Sequence, residues 1–362
     1  MKKIYIGFLV VFVALSTALF YINLKTPIRI VLIGNFEEER YSFATGSIIA
    51  GRIAEKDINF GSGIRGRKTE LIIKDDDFKN PEDTIKFLKK NKIEAIITTA
   101  ASKDLMQVKP YLEENKIVCI SVGATSASLS GQKDYIYRIL PDDEKEVKTL
   151  FDHLTKSNIE KNIVLIYDKS NMEYKRSIEN TIEKMGGKIA FQEGWVGEPL
   201  GYIPSNVEAM KDKPILLLSS ARNTAFIVQK LKGYDISHKI FGTSWSGDDY
   251  LLSYGGRAVE GFTFVTPVDL SSEDKEAMKL SEKLRAYGKR NGLISNGVYE
   301  SYKLIEKAYE DRYVKHITLK EALDSNQFFD TYGDSKETEL MFTVRNGEFI
   351  KIKGGSNEST KD

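Results

Sequence analysis

From residue 28 onward, the chain alternates between two patterns of hydrophobic and polar positions. Short runs rich in β-branched and other apolar residues are typical of buried strands, and the stretches between them carry apolar residues three and four positions apart, as amphipathic helices do. The predicted strands are residues 28–34, 69–74, 94–99 and 117–121, and the predicted helices between them are residues 45–58, 81–90 and 104–114. Because each helix can return the chain to the start of the next strand, this order predicts βαβ units and a parallel sheet.

A second series of the same kind begins after Pro141. Its predicted strands are residues 163–167, 188–192, 214–219, 239–243, 262–267, 338–344 and 348–353, and its predicted helices are residues 173–185, 224–232, 272–290 and 297–312. The fold class predicted from both series is α/β, with two doubly wound parallel-sheet lobes joined by a hinge of several chain segments. Clefts between such lobes are common sites for small ligands.

The order of the elements also predicts where the two lobes divide. We assign residues 27–141 and 267–336 to lobe 1, and residues 142–266 and 337–353 to lobe 2. Residues 354–362 form a polar tail.

The first residues differ from the rest of the chain. The run 4–22 carries no charge and would span about 28 Å as a helix, close to the thickness of a bilayer's hydrocarbon core. Residues 1–26 are therefore predicted to be a membrane-targeting segment, and the rest of the chain to be extracytoplasmic. The segment acts as an uncleaved anchor or, if it is cleaved near Ala18, the protein is secreted. A lipoprotein signal is excluded because the one cysteine, Cys119, lies far downstream.

Charge and composition exclude several classes of function. The chain has 53 basic and 52 acidic residues, a net charge of +1, so no overall field attracts nucleic acid, and we expect no nucleic-acid partner. One cysteine cannot form a disulfide within the chain, and the three histidines, His153, His238 and His316, are too far apart for a local metal motif. No metal and no cofactor are expected.

Three motifs are similar to functional sequences but have simpler interpretations. Residues 61–66 match G-x-G-x-x-G, but they follow a helix and precede a strand, the reverse of a dinucleotide site, and are predicted to form a helix-to-strand turn. Residues 242–247 depart by one position from a nucleophile elbow. The acidic residues 75–77 lack the spacing of a calcium loop and are predicted to be a solvated strand end before a helix capped around Asn80. The chain is therefore not expected to be an enzyme.

Two loops are better candidates for a binding site. Residues 100–104 follow one predicted strand and open a helix, and residues 123–128 follow the next strand. Both offer small residues, backbone N–H groups and hydroxyls at neighbouring strand ends, which suits a carboxylate. Ordinary helix capping by Ser102 and Ser126 is the alternative explanation.

With these loops, the sequence resembles the type I periplasmic binding proteins of the Leu/Ile/Val-binding family. The resemblance runs from residue 28 to about residue 353. The motifs that carry it are residues 57–59, 63–68, 75–77 with Pro81, 120–126 and 138–143. It implies that the α-carboxylate of a ligand is held by Ser102 and by the backbone and hydroxyl groups of Ala124 and Thr125, with Gly123 in the same loop.

In the second lobe, the sequence departs from the pattern of the family. Met172 stands where the resemblance leads us to expect an aromatic residue, and Ser220 lies at a strand end that normally supplies another. Ser244 stands at the position of the acidic residue that pairs with the ligand's ammonium group, and Asp248 is the nearest carboxylate along the chain. The ligand is therefore either an acid without an amine or an amino acid that is held differently.

The resemblance implies a solute-binding protein that captures a small carboxylate-bearing ligand for an ABC permease. The predicted anchor leaves a second interpretation open, a membrane-anchored sensing ectodomain that acts on a membrane signalling partner.

Overall fold

The structure is a computed structural model, and it describes residues 26–36, 43–76, 78–236, 239–271, 275–289 and 291–352. Within these ranges, no helix is both long and apolar enough to cross a bilayer. The apolar run 4–22, the polar tail 354–362 and His238 lie outside them.

The first sheet has five parallel strands in the order β2-β1-β3-β4-β5. These strands are β1 (Ile28–Gly34), β2 (Thr69–Asp75), β3 (Ala95–Thr98), β4 (Val118–Ser121) and β5 (Ile136–Arg138). The connecting helices are α1 (Phe43–Phe60), α2 (Pro81–Lys90) and α3 (Ser102–Glu114). All four strand pairings are parallel, so the carboxyl ends of these strands lie at one edge of the sheet.

The second sheet has seven strands in the order β12-β11-β10-β9-β8-β6-β7. They are β6 (Asn162–Asp168), β7 (Lys188–Trp195), β8 (Ile215–Leu218), β9 (Ile240–Gly242), β10 (Thr263–Thr266), β11 (Leu340–Arg345) and β12 (Glu348–Lys351). Its helices are α4 (Asp143–Lys156), α5 (Met172–Lys184), α6 (Val207–Asp212), α7 (Ala221–Gly233) and α8 (Asp249–Gly255). Strands β6 to β10 pair in parallel, and β11 pairs antiparallel with β10 and β12.

Between β10 and β11 the chain returns to the first sheet. It forms α9 (Lys275–Arg285), α10 (Leu293–Lys315) and α11 (Leu319–Asp324). Helix α10 packs along α1, where an added Cβ at Gly51 would lie 3.5 Å from Val298. The described chain thus passes between the sheets after β5, after β10 and before β11, which confirms the predicted fold of two parallel-sheet lobes with a multi-segment hinge. The residue boundaries of the lobes stay a prediction.

Each sheet is buried on both faces, as the apolar strand runs predict. Along β1, Ile30 and Leu32 join one hydrophobic cluster, while Val31 and Ile33 join the cluster on the opposite face. Trp245 packs against a core cluster of each lobe, so the two halves share part of their packing.

Two of the interpreted motifs are confirmed as structural. Helix α1 ends at Phe60, and the turn that follows brings Gly63 to a φ of 71°. A Cβ on Gly63 would lie 2.0 Å from the carbonyl oxygen of Arg67, so only glycine fits this turn. Asn80 caps α2 by accepting a hydrogen bond from the N–H of Asp83, and Pro81 begins the helix, as predicted. The strand end is less solvated than predicted, because half-buried Asp76 accepts hydrogen bonds from Lys74 and Thr84, and residue 77 lies outside the described residues.

Some elements differ from the prediction. The helix predicted at residues 272–290 is described over Lys275–Arg285. The structure also adds β5 and α4, which lie on either side of the first passage between the lobes.

Candidate functional site

The carboxyl ends of β3 and β4 bring the two predicted loops together. Ser102 is the first residue of α3, and its Oγ accepts a hydrogen bond from the N–H of Ser126 at 3.1 Å. In the same loop, the N–H of Ala124 donates to Ser121 Oγ at 3.2 Å. The hydroxyl and amide groups that the sequence placed at neighbouring strand ends therefore lie against each other.

Gly123 allows this close approach. An added Cβ would lie 2.3 Å from the carbonyl oxygen of Thr99 and 2.7 Å from that of Ala100. Backbone atoms cannot swing away as a flexible side chain can, so any larger residue would push the two loops apart. Gly123 thus positions Ala124 and Thr125, which are both buried.

The first passage between the lobes begins directly beside this loop. The N–H of Asp143, the first residue of α4, donates to the carbonyl oxygen of Thr125 at 3.0 Å. Asp142 caps the helix by accepting from the N–H of Lys145 at 3.1 Å, and it also accepts from Ser130 Oγ at 3.2 Å. The amino end of α4 is therefore joined to the lobe 1 loop.

One helical turn later, Glu146 connects three elements of lobe 2. Its buried carboxylate accepts a hydrogen bond from the hydroxyl of Tyr174 on α5 at 2.7 Å, and another from the backbone N–H of Ser244 after β9. Ser244 is the position where the resemblance leads us to expect an acid. The structure brings a carboxylate to that point from α4 instead.

Glu146 belongs to a group of three acidic residues, Asp143, Glu146 and Glu339, which we call the acidic cluster. Asp143 is only 1% exposed, and within the described residues neither of its carboxylate oxygens has a hydrogen-bond donor in good geometry. Oε2 of Glu339 is also buried, and within the described residues it also has no hydrogen-bond donor in good geometry. A buried carboxylate without a partner is unfavourable when it is charged.

Burial raises the pKa of all three carboxyl groups. For Asp143 the rise is large, and the Glu146 charge adds to it, while the nearby hydroxyls of Ser177 and Thr125 oppose it. Burial also raises the pKa of Glu146, although the hydrogen bonds from Ser244 and Tyr174 act to lower it. Burial and the Glu146 charge raise the pKa of Glu339 well above its usual range, although the nearby Lys145 ammonium opposes the rise. Each group would ionise more readily beside a cation.

The other predicted site residues lie at helix starts in lobe 2. Met172 opens α5 two positions before Tyr174. Ser220 precedes α7 and makes no side-chain capping bond, and Asp248 caps α8 by accepting from the N–H of Tyr250 at 3.2 Å. The structure connects Ser244 to the acidic cluster, whereas the binding roles of Met172, Ser220 and Asp248 stay predictions.

The space beside Thr125 is small. A cavity of about 10 Å³ lies there, lined in part by Thr125, Arg138, Asp142 and Lys145. This volume holds about one water molecule, which is too little for an amino acid.

Two further residues with reactive side chains, His153 and Cys119, lie within the packed interior, the first half-buried and the second fully buried. The ring of His153 lies edge-on to Phe241 at 6.1 Å, and burial lowers the pKa of His153. Cys119 is fully buried, and burial raises the pKa of its thiol. Within the described residues, no group of histidine, cysteine and acidic side chains is arranged to hold a metal ion.

Comparisons with known proteins agree with this architecture. Residues 27–344 match the family model described as periplasmic binding protein. No curated protein sequence matches the chain.

Among solved structures, the branched-chain amino acid transporter substrate-binding protein LivJ from Streptococcus pneumoniae, in complex with isoleucine, is 18% identical and has a TM-score of 0.76, over 90% of this chain and 100% of that chain. A branched-chain amino acid ABC transporter protein from Thermus thermophilus with bound valine is 17% identical with a TM-score of 0.75, over 91% and 96%. A solute-binding protein from Rhodopseudomonas palustris in complex with 3,4-dihydroxybenzoic acid is 16% identical with a TM-score of 0.77, over 90% and 96%. The chain therefore belongs to the periplasmic binding protein family and has the fold of its type I members.

Proposed function

We propose that this protein is an extracytoplasmic solute-binding protein that captures an amino acid between its lobes and presents it to an ABC permease. The observation that carries the proposal is the junction itself. A loop rich in neutral donors in lobe 1 contacts, through Asp143 and Thr125, a group of buried carboxyl groups in which the oxygens of Asp143 and Oε2 of Glu339 have no hydrogen-bond donor in good geometry among the described residues. The solved structures that resemble this fold carry isoleucine, valine or a benzoic acid, which supports a small carboxylate ligand.

In this proposal, the ligand's carboxylate binds the lobe 1 loops. The backbone N–H groups near Ala124, the hydroxyls of Ser102 and Thr125, and the amino end of α3 are all suited to a negative charge. Each of these groups is neutral, so the loops can stay together when no ligand is present.

The ligand's ammonium group binds the acidic cluster. An ammonium has three N–H donors, and the two oxygens of Asp143 and Oε2 of Glu339 are acceptors without good donors. A cation at this point would compensate buried negative charge in a setting where bulk water does not. Asp143 and Glu339 thus take the role that the resemblance assigned to position 244, and Glu146 joins them to that position through its hydrogen bond from the N–H of Ser244.

Binding then follows from the two-lobe fold. The ligand binds lobe 1 first, and lobe 2 closes over it, because only the closed form makes both sets of contacts. No covalent bond changes. The signature is a saturable affinity without turnover and a thermal stabilisation that rises with ligand concentration.

The uncharged run of residues 4–22 would hold the protein at the membrane. A tether raises the local concentration of the protein near a membrane partner. This benefit applies to a permease and also to a signalling partner, which is the second candidate function.

The test is a thermal unfolding screen of the full-length protein in mild detergent. The compounds are the L-amino acids, the matched 2-hydroxy acids and benzoates. The proposal predicts that at least one amino acid raises the unfolding temperature in a concentration-dependent way, and that its 2-hydroxy counterpart raises it less. If no compound in any class raised the temperature, the binding function would be wrong. An equal effect of both members of each pair would contradict the ammonium site alone.

A further inference from the structure

Lobe 1 has a surface on the side opposite the cleft. The first described residue after the apolar run 4–22 lies at this surface. Thr26 is the first described residue, and its carbonyl oxygen accepts a hydrogen bond from Arg67 Nε at 3.0 Å. It leads directly into β1, so it lies at the amino ends of the parallel strands. We call this surface the entry face.

The link between the run and the entry face is short. Only residues 23–25 separate the run from Thr26. Even fully extended, this link spans at most about 14 Å. The headgroup layer on each side of a bilayer is roughly 5–8 Å thick. If residues 4–22 span the membrane, the entry face lies close to the lipid headgroups.

Large apolar side chains are exposed at this face. Phe60, the last residue of α1, is 94% exposed, and Val314, in the last turn of α10, is 65% exposed. The turn after Phe60 contacts the end of α10, because Arg67 Nη1 donates to the hydroxyl of Tyr313 at 2.8 Å and the Arg65 guanidinium lies 6.0 Å from the ring of Tyr313. Phe60 and Val314 therefore belong to one end of lobe 1.

Basic side chains lie along the same edge of the lobe 1 sheet. The exposed basic residues that end helices or precede strands at this edge are Arg65, Lys68, Lys90, Lys92, Lys116 and Lys315. Among the acidic residues of the same edge, Glu94 is paired with Arg312 at 2.8 Å and Asp311 with Lys315 at 3.1 Å. Glu113 and Glu114 are exposed. The edge is thus locally basic in a chain whose overall charge is nearly balanced.

We propose that the entry face rests on the surface of an anionic bilayer, with Phe60 and Val314 at the level of the headgroups and the surrounding lysines and arginines near lipid phosphates. Exposed aromatic and aliphatic side chains within a basic surface are typical of membrane-surface contacts. The inference rests on the tether proposed above.

The orientation has a consequence for the cleft. Ser102 and Thr125 follow the carboxyl ends of the strands, at the opposite edge of the sheet from Thr26. Docking through the entry face therefore fixes lobe 1 and holds the cleft above the membrane, where lobe 2 is free to move.

The test places a fluorophore on the face in the full-length protein. Phe60→Cys is labelled with an environment-sensitive dye, and the protein is reconstituted in nanodiscs of phosphatidylcholine with 30% phosphatidylglycerol that contain spin-labelled quencher lipid. The native Cys119 is fully buried and does not compete for the label. The matched control is Val196→Cys, which is 78% exposed and follows β7 in lobe 2. We expect several-fold stronger quenching at position 60 than at position 196.

The outcomes separate this inference from the proposed function. Equal quenching at both positions in a chain that resists alkaline extraction would overturn the docking of the face while leaving the tether intact. A chain that alkaline extraction removes from the membrane would overturn both the tether and the docking. Ligand-induced stabilisation is measured in the same samples and does not depend on either result.

A separate variant tests how much the basic residues of the entry face contribute to membrane docking. Lys92→Glu combined with Lys116→Glu is expected to lower the quenching at position 60 in anionic nanodiscs and to leave the unfolding temperature unchanged. Unchanged quenching in that variant would contradict the role of the basic residues.

Discussion

The two sides of the cleft hold their polar groups in different ways. In lobe 1, Ser102 and Ser126 bond to each other, and Gly123 lets two stretches of backbone approach closely. In lobe 2, Asp143 and Glu146 are buried carboxylates, and Asp143 lacks a good donor. The first side is complete without a ligand, whereas the second is unfavourable without a cation. In the proposed function, lobe 1 therefore provides a preformed carboxylate site and lobe 2 contributes the preference for an amine.

The largest expected effect on ligand binding and stability comes from a substitution in the preformed loop of lobe 1. Gly123→Val would place side-chain atoms within the space of the Thr99 and Ala100 carbonyls, so we expect ligand binding to be lost and the free energy of unfolding to fall by about 3 kcal/mol. Chemical denaturation and titration calorimetry measure both. The matched control is Gly201→Ala, where an added Cβ meets no atom within 4 Å. Near-normal binding by Gly123→Val would show that the loop is not part of the site.

Removing single hydroxyls should have a smaller effect that does not depend on the amine. Ser102→Ala and Thr125→Ala are each expected to weaken a carboxylate ligand by roughly 1.5 to 3 kcal/mol, the contribution of a hydrogen bond to a charged group. The loss should be the same for an amino acid and for its 2-hydroxy counterpart, as measured by calorimetry. Unchanged affinity in both variants would mean that the carboxylate binds elsewhere.

The acidic side should show the opposite effect on stability. At pH 8, Asp143→Asn removes a buried carboxyl group that is unfavourable when charged, so we expect the ligand-free protein to become more stable by about 1 kcal/mol while amino-acid affinity falls. Ligand-free unfolding and ligand titration are measured on the same preparation. Lower stability of the ligand-free variant would show that the Asp143 charge is already compensated.

The pH dependence follows from the raised pKa values of Asp143, Glu146 and Glu339. A carboxyl group whose pKa is raised by folding binds more protons in the folded state, so its contribution to stability falls as pH rises above its ordinary value of about 4 and through the raised value. The ligand-free protein should therefore unfold at a higher temperature at pH 5.5 than at pH 8. The combined variant Asp143→Asn, Glu146→Gln and Glu339→Gln should reduce this difference. An identical pH profile in the variant would contradict the proposed ionisation of the cluster.

The smallest effect is expected at Asp248, the carboxylate that the sequence places nearest to position 244. Its side chain caps α8, and asparagine caps helices about as well as aspartate. Asp248→Asn should therefore leave stability and amine preference nearly unchanged. A tenfold loss of amino-acid affinity in this variant would assign the ammonium site to Asp248 instead of the acidic cluster.

The fold was predictable because its central strands are mostly apolar and its main helices are amphipathic. Strand β5 was not predicted because its three residues, Ile136–Arg138, are too few to show a period. Helix α4 does carry a helical signal, since its buried Val147, Leu150, Phe151 and Leu154 follow a spacing of three and four. The first turn of this helix is charged and resembles a solvated loop, so the helix was not predicted.

The candidate site was predictable on one side only. Ser102 and Ser126 follow neighbouring parallel strands, so the sheet order alone brings them together. The contact of Glu146 with Ser244 joins positions 98 residues apart. It depends on how α4 packs after the first passage between lobes, which local spacing does not encode.

The central claim is that the acidic cluster recognises the ligand's ammonium group. The most direct measurement compares the calorimetric affinities of L-isoleucine, L-leucine and L-valine with those of their 2-hydroxy acids, in the native protein and in Asp143→Asn/Glu146→Gln. The account predicts that the native protein prefers at least one amino acid by about tenfold or more, which corresponds to about 1.4 kcal/mol, and that the double variant loses this preference. A preference that survives in the double variant would contradict it.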